Sequence, residues 1–168
     1  VNTFASLERV FALKKVTFYT VRLEGAQRTL WEQFLDDHED EQFDDDLNIL
    51  RSALVRIGNE TGARPQFFRF EGDRGGDASA LPPPTHLLQG ETTSLRLYCL
   101  RFSTSVVILF SGAVKTAPTP QECDQVRAHF QLANRICRAI QEAVRAQELN
   151  EDPLGNLLFD DDFELDLS

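Results

Sequence analysis

The sequence predicts an α+β fold with a central antiparallel sheet, in the order β-α-α-β-β-β-α. Three observations carry this. Residues 95–102 (LRLYCLRF) and 105–110 (SVVILF) are strand-like runs separated by only two residues, which makes them an antiparallel hairpin. Upstream, Leu47, Leu50, Leu54 and Ile57 recur at helical spacing. Downstream, Val126, Phe130, Ala133, Ile136 or Cys137, Ile140 and Val144 form one apolar stripe, so a long helix lays one face on the sheet.

Each element has a local cause. Residues 15–23 are rich in Val, Thr, Phe and Tyr and read as the first strand. Thr29 and Glu32 have capping-box spacing before Trp31, Phe34 and Leu35, which starts a short helix. The second helix is expected to end near Gly58. Residues 66–71 (QFFRFE) read as a strand, and residues 72–91, with Gly75-Gly76 and Pro82-Pro83-Pro84, as a long loop. The run at 105–110 is apolar on both faces, as a central strand covered on both sides would be. Thr119, with Pro120 at the first helical position and Glu122, opens the last helix, which should run to about Glu148. Residues 150–156 (NEDPLGN) break the pattern. Residues 1–149 thus read as one domain, and 150–168 as an acidic tail or a docking strand.

Composition narrows the function. A chain of 168 residues can bury a real core, and thirteen Phe with no Met fill it stiffly. No apolar run approaches the roughly 18 residues of a membrane span, and Glu8, Arg9, Lys14 and Lys15 break up any secretory-signal pattern near the start. Cys99, Cys123 and Cys137 show no C-x-x-C spacing, so reduced thiols and a cytoplasmic location are expected. His38, His86 and His129 share no motif, and no metal or other cofactor is expected. The run DDHEDEQFDDD lacks the turn glycine of an EF-hand loop and reads as a solvated face. Nucleotide-loop, nucleophile-elbow and H-E-x-x-H motifs are absent.

The net charge of −10 is unevenly spread. Residues 36–46 hold eight acids and residues 151–168 seven more, with no Lys or Arg in either. Without those fifteen, 12 acids face all 17 bases, and the body carries +5. The segregated acid serves either solubility or a tail that folds over a basic surface and screens it.

Five segments, in order, carry a family resemblance: FYT at 18–20, WEQFLD at 31–36, FFRFEG at 67–72, LRLYCLR at 95–101 and VVILFSGAVKTAPTP at 106–120. Together they resemble the RelE/HigB superfamily of toxins from bacterial type II toxin–antitoxin pairs, nearest the phage-derived HigB-like branch. The resemblance implies a RelE-like fold and a metal-independent mRNA endoribonuclease acting on ribosome-bound message. It also implies a separately encoded antitoxin partner, often a helix-turn-helix protein. In that chemistry the ribose 2′-hydroxyl attacks the adjacent phosphate, so a cationic clamp on the phosphorane oxygens is the main catalytic requirement.

By the same resemblance, Arg96 is the phosphate clamp and Lys115 a second charge stabiliser. Tyr98, two residues from Arg96 on the same strand face, stacks on a base or transfers a proton. Arg69, Arg74 and Arg101 hold the RNA backbone. Against each stands a plainer reading: Arg96 paired across strands with Glu71, Tyr98 in the core, Lys115 a solubilising strand end. The tail lacks the Tyr or His that many relatives carry, which leaves Tyr98, Tyr19 or His129 for proton transfer. Two other functions share the fold: a non-catalytic binding module or co-repressor, and a gyrase-inhibiting toxin.

Overall fold

The computed structural model of the protein describes residues 3–70, 78–84, 93–115 and 124–168. Nine strands and three α-helices lie in these segments: β1 (Phe4–Ala12), β2 (Thr17–Leu23), α1 (Leu30–Asp37), α2 (Asp44–Arg56), β3 (Arg69–Phe70), β4 (Ser79–Leu81), β5 (Leu95–Arg101), β6 (Val106–Val114), α3 (Asp124–Arg145), β7 (Asn150–Glu151), β8 (Leu157–Leu158) and β9 (Leu165–Asp166). Seven of the strands form one sheet in the order β3-β4-β5-β6-β2-β1-β9, and β7 pairs with β8 apart from it. Every pairing in the large sheet is antiparallel except β2 with β6. The α+β class with a mainly antiparallel sheet is therefore the architecture of the chain.

The helices divide between the two faces. Val126, Phe130, Ala133, Ile136, Cys137 and Ile140 of α3 pack with Tyr19, Val21, Tyr98, Val106, Ile108 and Phe110. Phe34 of α1 and Leu47, Leu50 and Leu54 of α2 pack with Phe18, Leu95, Leu97, Cys99, Val107 and Leu109. The alternation along β5 and β6 feeds both layers, which is why 105–110 is apolar on both faces. Val144, expected in the α3 stripe, is 41% exposed, and Ala143 takes the buried position.

Thr29 caps α1 as its spacing predicts. Its hydroxyl accepts from the Glu32 N–H at 3.2 Å, and the Glu32 carboxylate accepts from the Thr29 N–H at 2.9 Å. Asp44, Asp45 and Asp46 fill the first turn of α2, where the helix dipole favours acids. His38 departs from the solvated-face reading of this region. It is buried, its Nδ1 donates to the Phe34 carbonyl at 2.7 Å, and its ring lies between Phe34 and Phe43.

Other boundaries shift for identifiable reasons. Gly58 does not stop the second helix. The backbone continues through a π-helical turn, Ile57–Thr61, to Gly62 at φ 76°. Gly58 instead admits Leu13, whose Cδ1 would lie 2.3 Å from a β-carbon there. The strand expected over 66–71 shrinks to Arg69–Phe70 because Pro65 opens a 3-10 turn through Phe67. β4 arises inside the expected loop and ends at the cis Leu81–Pro82 bond. The sequence pattern marks no strand before residue 15, yet β1 is among the longest strands of the described residues. The Thr119–Glu122 cap signal lies outside the described residues.

The tail belongs to the fold. β9 extends the sheet by pairing with β1, and the Leu167 N–H donates to the Thr3 carbonyl at 2.7 Å. Leu165 and Leu167 are buried with the α3-side core, and Arg135 of α3 donates to the Leu167 carbonyl at 3.0 Å. No helix among the described residues is long and apolar enough to cross a membrane.

Candidate functional site

The β5–β6 hairpin contains a bulge. Cys99 pairs with Leu109 and Leu97 with Gly112, so Phe110 and Ser111 together oppose Tyr98. A two-for-one bulge turns consecutive residues to one side. Phe110 enters the core beneath α3, and the Ser111 hydroxyl lies 2.7 Å from Nδ1 of His129 on α3. The ladder resumes at Gly112, then Ala113 opposite Arg96, and the Lys115 N–H donates to the Ser94 carbonyl at 2.8 Å.

Alternation then gathers the basic residues. Arg96, Ala113 and Lys115 fall on the face that carries Tyr98, the face covered by α3. Ala80 pairs with Tyr98 and Arg69 pairs with Ala80, so Arg69 shares that face two strands away, about 10 Å from β5. Three of the expected phosphate-binding residues, Arg69, Arg96 and Lys115, are thus brought to one side of the sheet.

Their side chains are anchored by backbone. Arg69 Nε donates to the Pro82 carbonyl and its Nη2 to the Pro83 carbonyl, each at 2.9 Å. Arg96 Nη1 donates to the Thr93 carbonyl at 2.6 Å and to its neighbour Leu95 at 3.2 Å. Bonds to neutral carbonyls orient a guanidinium without themselves cancelling its charge. Glu71, the expected partner of Arg96, and Arg74 lie outside the described residues.

The remaining candidates are placed differently. Tyr98 has no exposed surface and packs its ring 5.4 Å from Phe130; a base cannot stack on it in this arrangement. Arg101 has the opposite strand parity, and its Nε donates to the Ala63 carbonyl beyond the π-turn. It does not join the other three. Tyr19 is buried, and its hydroxyl accepts from the Leu157 N–H at 2.9 Å, which commits it to the tail. The tail itself docks at the β1 edge, four strands from Arg96 along the sheet, so it does not lie over the basic residues.

His129 is the titratable group in contact with the Ser111 hydroxyl at the hairpin bulge. Burial drives its pKa below the ordinary 6.5; Asp37 of α1 opposes this and His38 adds to it. Ser111 went unrecognised in the sequence. The signal available was a Ser-Gly pair interrupting an apolar strand, a mark of a bulge. Cys99 and Cys137 are buried, and burial holds the Cys99 thiol well above its usual range, so it behaves as a small apolar side chain. Among the described residues no group of three or more His, Cys, Asp or Glu is placed to hold a metal ion. No protein-family model, curated protein or solved structure matches the chain.

Proposed function

We propose that this chain is a RelE-like, metal-independent endoribonuclease that cuts mRNA held in the ribosome, and that a separately encoded antitoxin restrains it. The observation that carries the reading is the convergence of Arg69, Arg96 and Lys115 on the α3-facing side of the sheet. The element order from β2 through α3 also supports it, with β1, β4 and the tail strands as additions. Arg96, oriented by the Thr93 and Leu95 carbonyls, would bring its positive charge to the phosphate being attacked. Lys115 would add a second positive charge, and Arg69 would hold the flanking backbone.

The test is induced expression in a bacterial host with mapping of new 5′ ends on a translated reporter. Cuts should depend on translation and vanish with Arg96→Ala at equal soluble level. An Arg96→Ala protein that still cuts removes the clamp.

One observation favours a second reading, a non-catalytic binding module. Arg69, Arg96 and Arg101 all donate to backbone carbonyls, and Tyr98 is sealed in the core. Under that reading the soluble wild type leaves growth and message intact.

A further inference from the structure

Ser111 of β6 and His129 of α3 make a polar contact of 2.7 Å between the sheet and the helix that covers it. Ser111 is 2% exposed, yet it places a hydroxyl where the bulge turns two residues toward α3. Its partner is half-buried at the margin of the α3 stripe, so the imidazole has one edge on Ser111 and retains exposed surface. Along β6, Ser111 lies two residues from Ala113, about 7 Å, and Arg96 is one strand further, about 5 Å across. The pair therefore stands at the same end of the sheet as Arg96 and Lys115.

We propose that His129 is the proton-transfer group of this site and that Ser111 is its positioning residue, accepting from Nδ1–H so that Nε2 is left as the base. The substrate in this inference rests on the nuclease reading; the geometry of the pair does not. In the step, Nε2 takes the proton of the ribose 2′-hydroxyl as the 2′-oxygen–phosphorus bond forms. The phosphorus–5′-oxygen bond breaks, the departing 5′-oxygen takes a proton from water, and the hydroxide so formed takes the proton held on Nε2, which restores the base. The products are a 2′,3′-cyclic phosphate and a 5′-hydroxyl. The hydrogen bond made by one ring nitrogen sets the tautomer of the other, which is the function assigned to Ser111. The groups that act on the charge of His129 are Asp37 at the end of α1 and His38 just past it, and burial outweighs Asp37 in keeping the ring neutral. A neutral imidazole is the form a base requires.

Ring-nitrogen NMR of the full chain, with RNA cleavage followed across pH, tests this. The expected result is Nδ1–H at neutral pH in the wild type, a shift toward Nε2–H in Ser111→Ala, and return to Nδ1–H in Ser111→Thr. Cleavage should fall about 100-fold or more in His129→Gln. In Ser111→Ala the pH profile should be displaced with KM unchanged. A wild-type ring that carries its proton on Nε2 overturns the assignment to Ser111. A wild type that cuts while His129→Gln cuts equally well overturns the role of His129 alone. A wild type that cuts no message, with or without ribosomes, overturns the nuclease reading and this role of His129 together.

Discussion

Gly112 lies directly against the carbonyl of Arg96: a β-carbon on Gly112 would sit 1.8 Å from that oxygen and 2.8 Å from its carbon. Both atoms are backbone of the paired strand, so neither can swing aside. The glycine in the GAVKT segment is thus a condition for closing the ladder after the bulge, next to the residue argued to clamp phosphate. Gly112→Ala should cost about 3 kcal/mol, the upper range for overpacking. Urea denaturation monitored by Trp31 fluorescence measures it, and a loss below 1 kcal/mol would show that the strands part easily here.

Arg69 ties β3 to the Leu81–Pro82–Pro83 segment through two bonds in a fixed fork. A lysine has one ammonium and cannot reproduce that geometry. Arg69→Ala and Arg69→Lys should therefore destabilise alike, by about 1–2 kcal/mol, since charged hydrogen bonds are worth about 1.5–3 and this residue is part-exposed. Thermal unfolding of the two variants is the check; full rescue by lysine would assign Arg69 to charge rather than to shape.

Leu165 places the tail. It is 1% exposed, pairs with Ala5 and packs in the α3-side core. Leu165→Ala should cost about 3 kcal/mol, as buried leucine truncations do. Amide exchange at Ala5 and Leu167 should accelerate with it. Unchanged protection at those amides would mean that β9 holds without its leucine.

Acidification should destabilise the fold in two separate windows. The His129 pKa is lowered in the folded state, first by burial. Its contribution is complete above the ordinary value of 6.5 and declines as pH falls through the lower folded value. The Glu32 carboxyl is held below its ordinary 4.5, first by the Thr29 backbone N–H. Its contribution is present above 4.5 and is lost as pH falls through the folded value. Stability measured against pH should show the upper step vanish in His129→Gln and the lower one weaken in Glu32→Gln. A single step untouched by His129→Gln would contradict the assignment.

Features whose causes are local were legible in the chain before any tertiary contact is considered. The capping box at Thr29 and Glu32 needs only four consecutive residues, and it forms as spaced. The strand character of β2, β5 and β6 follows from alternation and from the apolar run at 106–110. The stripe on α3 follows from helical periodicity, which for Val126 through Ile140 selects the buried face. Arg96 and Tyr98, two residues apart, could be assigned to one strand face by the alternation of a strand.

The rest depends on contacts between segments far apart in the chain. The strand character of β1 depends on β2 and on β9, more than 150 residues away, and its charged residues mask it locally. β4 is three residues long, too short for any periodicity to register, and exists because β5 offers it an edge. Gly58 reads as a helix stop until Leu13 is seen to occupy the space of its absent side chain. Ser111 and His129 meet only because one extra residue in β6 changes which way Ser111 faces. Local sequence sets what each segment prefers to be; register and packing, which are relations between distant segments, set which side chains share a site.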